Sequence, residues 1–419
     1  MKHLRARWGR LHSLLILASV LFVLLCWAVF GSAVGANPVT ALPVEGSVQS
    51  SFTVSAEELG DFGAEAPAIA SPSAIVVNMT TGRVLFEKNA SKQRPMASTT
   101  KIMTCVLILE QMELDTKVEV SAEAAGTSET VPWLREGDIL TVDDLLHALM
   151  VRSSNPAAVA LAEACSGSLE AFVDAMNTKA KELGLHDTHF VHPSGLDRDG
   201  HLSTAADMAE LARYAMLDEK FRELVSTKKY VIRLPGRDPV VCENTNKLLG
   251  EVEWVTGVKT GLTPRAEQCL VGSGTKDGVN VVSVILGQPS SRVCWEESKA
   301  LLEYGFSQYR YLDLMEQGLA VAEASVPYQL NDRLRLVTTE AVRLELHKDE
   351  SATTTVEVDR PLTLPVVEGE VFGHVTLTVN DVVVDEVDLV ADRAFDQVSL
   401  GSKVVYLWQR LGSALGRVF

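Results

Sequence analysis

Pro95-Met96-Ala97-Ser98-Thr99-Thr100-Lys101-Ile102-Met103-Thr104 is the stretch that decides how the chain is read. Apolar residues at 102, 103, 106, 107 and 109 predict a largely buried helix from Ser98 to Met112. A spacing of i, i+3 puts the Ser98 hydroxyl and the Lys101 amine on one face, close enough to touch. A serine is a poor nucleophile until a base takes its proton, and a lysine whose pKa is lowered is such a base. Taken alone the pair says little, because Ser98 after Pro95 also suits a helix N-cap.

Two further motifs lie outward from it. Ser153-Ser154-Asn155 falls between predicted helices at Val142 to Val151 and Pro156 to Cys165. Its plain reading is Asn155 as an N-cap with Pro156 at N1. Lys259-Thr260-Gly261 follows Trp254-Val255-Thr256-Gly257-Val258 in a predicted edge strand. Lys259 and Thr260 offer a cation and a hydroxyl to a carboxylate. Gly261 clears a side chain where a substrate backbone would lie against the strand. Its plain reading is a solvated strand end with a turn glycine.

Around these motifs the chain divides by composition. Lys2, Arg5, Arg7 and Arg10, then an apolar run from Leu14 to Phe30 and small residues to Ala36, predict a signal peptide at 1–36. An uncleaved anchor is the alternative. Residues 37–72 carry no sustained period and read as a linker. From 73 to 312 a hairpin (Ala74–Val77, Val84–Phe86), a helical cluster and a β-rich stretch at 255–287 form one domain. From 313 to 396 β-branched strands predict a small all-β domain, a sandwich or open barrel. Residues 397–419 place Val404, Trp408, Leu411, Leu415 and Val418 on one helix face among Lys403, Arg410 and Arg417. That pattern predicts an amphipathic helix on a membrane surface, with packing on its own β domain as the alternative.

Composition removes other classes. Of 419 residues 47% are hydrophobic, which excludes a disordered chain, and the formal charge of −17 disfavours nucleic acid as a partner. Cys105, Cys165, Cys242, Cys269 and Cys294 lie too far apart for a zinc motif and read as free thiols, although a Cys242–Cys269 disulfide stays open. His189, His192 and His201 read as loop and packing residues. Oligomeric state is not legible.

In this order, S-x-x-K, S-x-N and K-T-G resemble the signature set of active-site serine penicillin-binding proteins and serine β-lactamases. The chain is further similar to the low-molecular-weight D-alanyl-D-alanine carboxypeptidases, the penicillin-binding protein 5-like family. The likeness runs through Ala74-Ile75-Val76-Val77 with Thr81-Gly82, the Pro95–Thr104 stretch, Met150-Val151-Arg152-Ser153-Ser154-Asn155, Ser194-Gly195-Leu196-Asp197, His201-Leu202-Ser203-Thr204-Ala205 and Gly257-Val258-Lys259-Thr260-Gly261. It spans most of 73 to 310. Two departures stand out: the family usually has a glycine near Glu267, two residues before Cys269, and often an aspartate where Asn78 stands.

The resemblance implies an α/β (α+β) serine β-lactamase/penicillin-binding-protein-like catalytic domain, then a small all-β domain and a C-terminal amphipathic helix. It implies that Ser98 attacks the bond between two terminal D-alanines of a peptidoglycan pentapeptide stem, with Lys101 as base and Ser153 relaying a proton. Asn155 would bind the substrate amide backbone, and Lys259 and Thr260 the terminal carboxylate beside Gly261. The backbone N–H groups of Ser98 and Leu262 would hold the oxyanion. No metal or organic cofactor is implied, and β-lactams are expected as covalent inhibitors. The protein is expected at the outer face of a bacterial cytoplasmic membrane or in the wall. A β-lactamase of the type using a loop glutamate fits less well, since no glutamate lies between Glu182 and Glu210. A non-catalytic wall-binding protein is the rival from another class, and three intact motifs weigh against it.

Overall fold

The structure, a computed structural model, describes residues 42–43, 49–55, 63–129, 133–329 and 332–415. The expected signal peptide lies outside them. The described residues form two compact units: those of Thr53–Leu312 with Leu344–Ala352, and those up to Phe52 with those of Asp313–Arg343 and from Thr353 to Leu415.

The first unit is built on a five-stranded sheet. Its strands are β1 (Ser73–Asn78), β2 (Val84–Lys88), β3 (Val255–Thr263), β4 (Glu267–Lys276) and β5 (Val279–Gln288), in the order β2-β1-β5-β4-β3. All of β1 and nearly all of β5 are buried. Strands covered on both faces read as continuous apolar runs for this reason. Period two sorts their side chains. Ala74, Val76, Val281 and Ile285 pack with Leu301, Leu302 and Phe306 of a helix at Ser291–Ser307. Ile75, Val77, Val282 and Val284 face the helical cluster. At its centre lies α1 (Lys101–Gln111), buried at every position from Lys101 to Ile108. A helix apolar on all sides belongs inside a domain. Around it stand α2 (Val142–Met150), α3 (Asn155–Ser166), a helix at Leu169–Glu182 and another at Ala205–Ala215.

The linker reading of 37–72 needs correction at both ends. Residues Leu42–Pro43 and Gln49–Ser55 are strands of a seven-stranded sheet, and Ser71 is buried in the first unit. The Glu297 carboxylate accepts hydrogen bonds from the Ala70 and Ser71 N–H groups and from the Ser71 hydroxyl, while Ala64 N–H donates to Ser307 Oγ. A segment without period is still ordered when a buried carboxylate needs its N–H groups.

The 344–352 segment belongs to the first unit in the same way. Asn78 accepts from the Thr80 and Thr81 N–H groups, both at 2.9 Å, and donates to Glu345 Oε1 at 2.6 Å. An aspartate at 78 would set two carboxylates against each other, so the departure at Asn78 goes with Glu345. Arg83 pairs with Glu350 at 2.9 Å. The other departure, Glu267, has φ +56°, the left-handed conformation that glycine adopts without cost.

The second unit is carried by the seven-stranded sheet, ordered Leu42–Pro43, Ala320–Ser325, Arg333–Thr338, Val382–Ala391, Val371–Val379, Ser351–Val358, Gln49–Ser55. A helix spans Leu400–Leu415, with Leu400, Val404, Val405 and Leu407 exposed. Among the described residues no helix is long and apolar enough to cross a membrane.

Candidate active site

Ser98 lies in a single 3-10 turn, Ala97–Thr100, that runs straight into α1. It is not the N-cap, since no side chain caps this turn or the helix behind it. Its hydroxyl is instead held by Lys101 Nζ at 2.9 Å. The two other donors of the Lys101 ammonium go to Asn155 Oδ1 and the Ser194 carbonyl, both at 2.7 Å. As a neutral amine Lys101 keeps two donors for those two acceptors, and its lone pair then faces Ser98 Oγ. That is the arrangement a base needs to take the serine proton.

The second motif is laid out differently from its plain reading. Ser154, not Asn155, caps α3, accepting from the Ala157 N–H, with Pro156 just inside the helix. Capping by Ser154 leaves the Asn155 amide free to bridge Lys101 and the Ser128 carbonyl, which it reaches at 2.7 Å. Ser153 has φ +66°, unusual for a residue with a Cβ. It is not one of the three acceptors around Lys101.

Ser194 and Gly195 were legible only as part of a resemblance; the structure gives them work. Thr104 Oγ1 donates to the Pro193 carbonyl at 2.7 Å, and Lys101 to the next carbonyl along. Gly195 has φ +82°, and a Cβ there would sit 1.9 Å from the Ala97 carbonyl oxygen. Asp197 ties the same loop to β3 by accepting from Thr263 Oγ1 at 2.7 Å.

Strand β3 is the edge of its sheet and brings Lys259-Thr260-Gly261 beside the 3-10 turn. Gly261 makes room at the nucleophile itself. Its absent Cβ would lie 3.0 Å from both the Ser98 backbone nitrogen and Ala97 Cβ, so the glycine admits the nucleophile's own turn. Lys259 is 1% exposed and donates to the Thr260 carbonyl at 3.0 Å, while the Thr260 hydroxyl meets Thr245 Oγ1 at 2.6 Å. Leu262 is 63% exposed. Its backbone lies on an edge strand, whose outer polar groups are not used by the sheet.

Burial and mutual repulsion set the electrostatics. The Lys101 amine is driven well below its ordinary value, first by burial and then by the nearby Lys259 cation, with Glu129 acting the other way. Burial lowers Lys259 to about 7. Neither lysine is held as a permanent cation at neutral pH, unlike one in water.

Two histidines support the turn. His201 Nδ1 accepts from the Val191 N–H at 2.9 Å, which puts the ring proton on Nε2, donated to Thr100 Oγ1 at 2.8 Å. The Thr100 hydroxyl donates in turn to the Ala97 carbonyl at 2.7 Å. His192 Nδ1 meets the Ser194 hydroxyl at 2.8 Å. Burial lowers both imidazoles to about 4. For buried His201 the unfolded chain takes up a proton first, so the stability it contributes is complete above pH ~6.5 and lost as pH falls toward 4. The loss amounts to about 3 kcal/mol. Urea midpoints at pH 7 and 4.5 should therefore differ less in His201→Gln than in the unmodified chain; equal differences would refute the assignment.

Cys105, Cys165, Cys242, Cys269 and Cys294 are free thiols, so there is no Cys242–Cys269 bridge; burial raises the Cys269 thiol to about 12. Ser128, whose carbonyl holds the Asn155 amide, escaped sequence reading altogether, since no motif contains it.

Comparison with known proteins agrees with this geometry. The family described as D-alanyl-D-alanine carboxypeptidase matches residues 61–290, and the penicillin-binding protein 5 C-terminal domain matches 309–397. D-alanyl-D-alanine carboxypeptidase DacF of Bacillus subtilis is 33% identical over 73% of this chain and 80% of its own length. DacC of Escherichia coli is 31% identical over 75% and 82%. Among solved structures, the Streptomyces K15 DD-transpeptidase covers 58% of this chain and 99% of its own at 33% identity and a TM-score of 0.55. The DacD carboxypeptidase of Francisella tularensis covers 80% and 95% at 26% identity and a TM-score of 0.57. With its sheet, its Ser98–Lys101 pair and these relatives, the chain belongs to the D-alanyl-D-alanine carboxypeptidase family of serine peptidases.

Proposed function

We propose that the chain removes the terminal D-alanine from peptidoglycan stem peptides through an acyl-enzyme on Ser98. The observation that carries this reading is the hold on Lys101, whose amine touches Ser98 Oγ while two fixed acceptors orient it. Lys101 takes the serine proton as Oγ attacks the carbonyl between the two D-alanines. The tetrahedral oxyanion sits between the Ser98 and Leu262 N–H groups. As the C–N bond breaks, a proton passes through Ser153 to the leaving amine, and D-alanine departs. Water then cleaves the ester and restores Ser98. Asn155 exchanges its Ser128 partner for the substrate amide. Lys259 and Thr260 bind the free carboxylate, which favours a chain end as substrate.

A β-lactam presents the same acyl chemistry and traps the same serine. Export places the reaction outside the cytoplasm, and the Leu400–Leu415 helix, with Leu400, Val404, Val405 and Leu407 exposed, suits a membrane surface. The test is the intact mass of the protein after brief exposure to benzylpenicillin, beside Ser98→Ala. One penicillin added to the unmodified chain and none to the variant is the expected result. A blank in both, together with no D-alanine released from a peptide ending in D-Ala-D-Ala, would leave wall binding without catalysis as the better account.

A further inference from the structure

Binding a carboxylate at Lys259-Thr260 needs a hydroxyl whose proton is turned outward, and the strand alone does not supply that direction. A threonine hydroxyl has one proton and two lone pairs and turns about one bond, whereas a carboxylate only accepts. Among the described residues the group that meets the Thr260 hydroxyl is Thr245 Oγ1, at 2.6 Å, and Thr245 Oγ1 has no other hydrogen-bond partner there. The Asn244-Thr245-Asn246 segment that carries it is anchored on both sides. The Thr245 N–H donates to the Val151 carbonyl at 3.1 Å, two residues ahead of Ser153. Asn244 Nδ2 donates to the Thr227 carbonyl at 2.9 Å, and Nδ2 of the buried Asn246 donates to the Gly257 carbonyl at 3.0 Å. The Asn246 N–H closes on Asn244 Oδ1 at 2.8 Å. Thr245 is thus fixed in place between the second motif and β3, with its hydroxyl given over to Thr260.

We infer that Thr245 is a positioning residue for carboxylate recognition: its hydroxyl donates to Thr260 Oγ1 and so aims the Thr260 proton at the C-terminal carboxylate of the substrate. The inference rests on the carboxylate role proposed above for Lys259 and Thr260. Of the two ways to orient the hydroxyl pair, a carboxylate selects one. If Thr260 donated to Thr245, it would show the carboxylate lone pairs alone, and oxygen would face oxygen. With Thr245 as donor, Thr260 accepts from behind and donates in front, and a hydroxyl that accepts one hydrogen bond donates a stronger one. Lys259 supplies the charge, and Thr245 supplies the direction of the neutral donor. The K-T-G motif does not reveal this partner, which lies 15 positions before Thr260.

Thr245→Val keeps the shape of the side chain and loses the hydroxyl, and Thr245→Ser keeps the hydroxyl. Two probes with the same acylating ring separate carboxylate recognition from acylation: benzylpenicillin, whose carboxylate stands for that of the substrate, and its methyl ester, which has none. The measurement is the second-order rate of adduct formation with each, read by intact mass, with thermal unfolding to confirm folding. A hydrogen bond to a charged group is worth about tenfold or more, so Thr245→Val should react about tenfold more slowly with the acid and within about twofold of the unmodified rate with the ester. Thr245→Ser should restore the acid rate. Adding Thr245→Val to Thr260→Val should cost nothing further, because Thr245 acts through Thr260. Equal slowing with both probes would mark a merely structural residue and overturn the inference. So would an unchanged acid rate, a serine variant as slow as the valine one, or additive losses in the double variant. If the unmodified chain reacted equally with acid and ester, the carboxylate reading itself would fall, and this inference with it.

Discussion

Replacing Lys101 with methionine is expected to slow acylation of Ser98 by about a thousandfold, within the range a positioned general base contributes. Methionine is close in length and apolar, so it fills the buried site without adding a charge. It leaves the Ser194 carbonyl and Asn155 Oδ1 without their donor, and the serine without a base. The pH profile separates the chemical loss from a packing loss. In the unmodified protein the rate should climb as Lys101 deprotonates and fall above pH ~7 as Lys259, lowered to about 7, loses the charge that binds the substrate carboxylate. The profile is then a bell whose limbs belong to the lysine pair together. In Lys101→Met the rising limb should vanish. A variant that kept that limb would assign it, and the base, to another group.

Gly195→Ala should be nearly as damaging, although Gly195 touches no substrate. Alanine must hold φ +82° and place a methyl 1.9 Å from the Ala97 carbonyl oxygen, which is backbone and has little freedom to yield. Backbone strain and overpacking together should cost about 3 kcal/mol or more. The carbonyl displaced is next to the nucleophile, and the loop displaced carries the Ser194 acceptor of Lys101. Urea unfolding and adduct formation should both suffer. Normal values in both would mean that the loop relaxes freely and that the glycine is dispensable.

Much of the fold was legible because its elements obey simple periods. The continuous apolar runs of β1 and β5 and the all-round burial of α1 follow from the sequence without reference to partners. Less was legible where one residue's role is fixed by a distant one. Ser98 and Asn155 both looked like helix caps; the structure gives capping of α3 to Ser154 and turns both residues to Lys101. The room that Gly261 makes for the Ser98 turn likewise could not be read from the K-T-G motif. Ser128 gave no signal, because a backbone carbonyl that holds Asn155, 27 residues later, has no spacing rule. Residues 63–72 carry no period for the same reason, the order of Ala70 and Ser71 resting on Glu297, far along the chain.

The unit that carries Ser98 is not a continuous piece of chain. After Leu312 the polypeptide leaves it for the second unit and comes back only at Leu344–Ala352. The returning segment brings Glu345 to Asn78 and Glu350 to Arg83, at the turn between the first two strands. The earliest hairpin of the sheet is thus completed by a residue 267 positions further along the chain. A cut anywhere between Leu312 and Leu344 would therefore not release the Ser98 unit whole: it would leave Asn78 and Arg83 without these two partners, and an excised catalytic unit has to carry residues 344–352 with it.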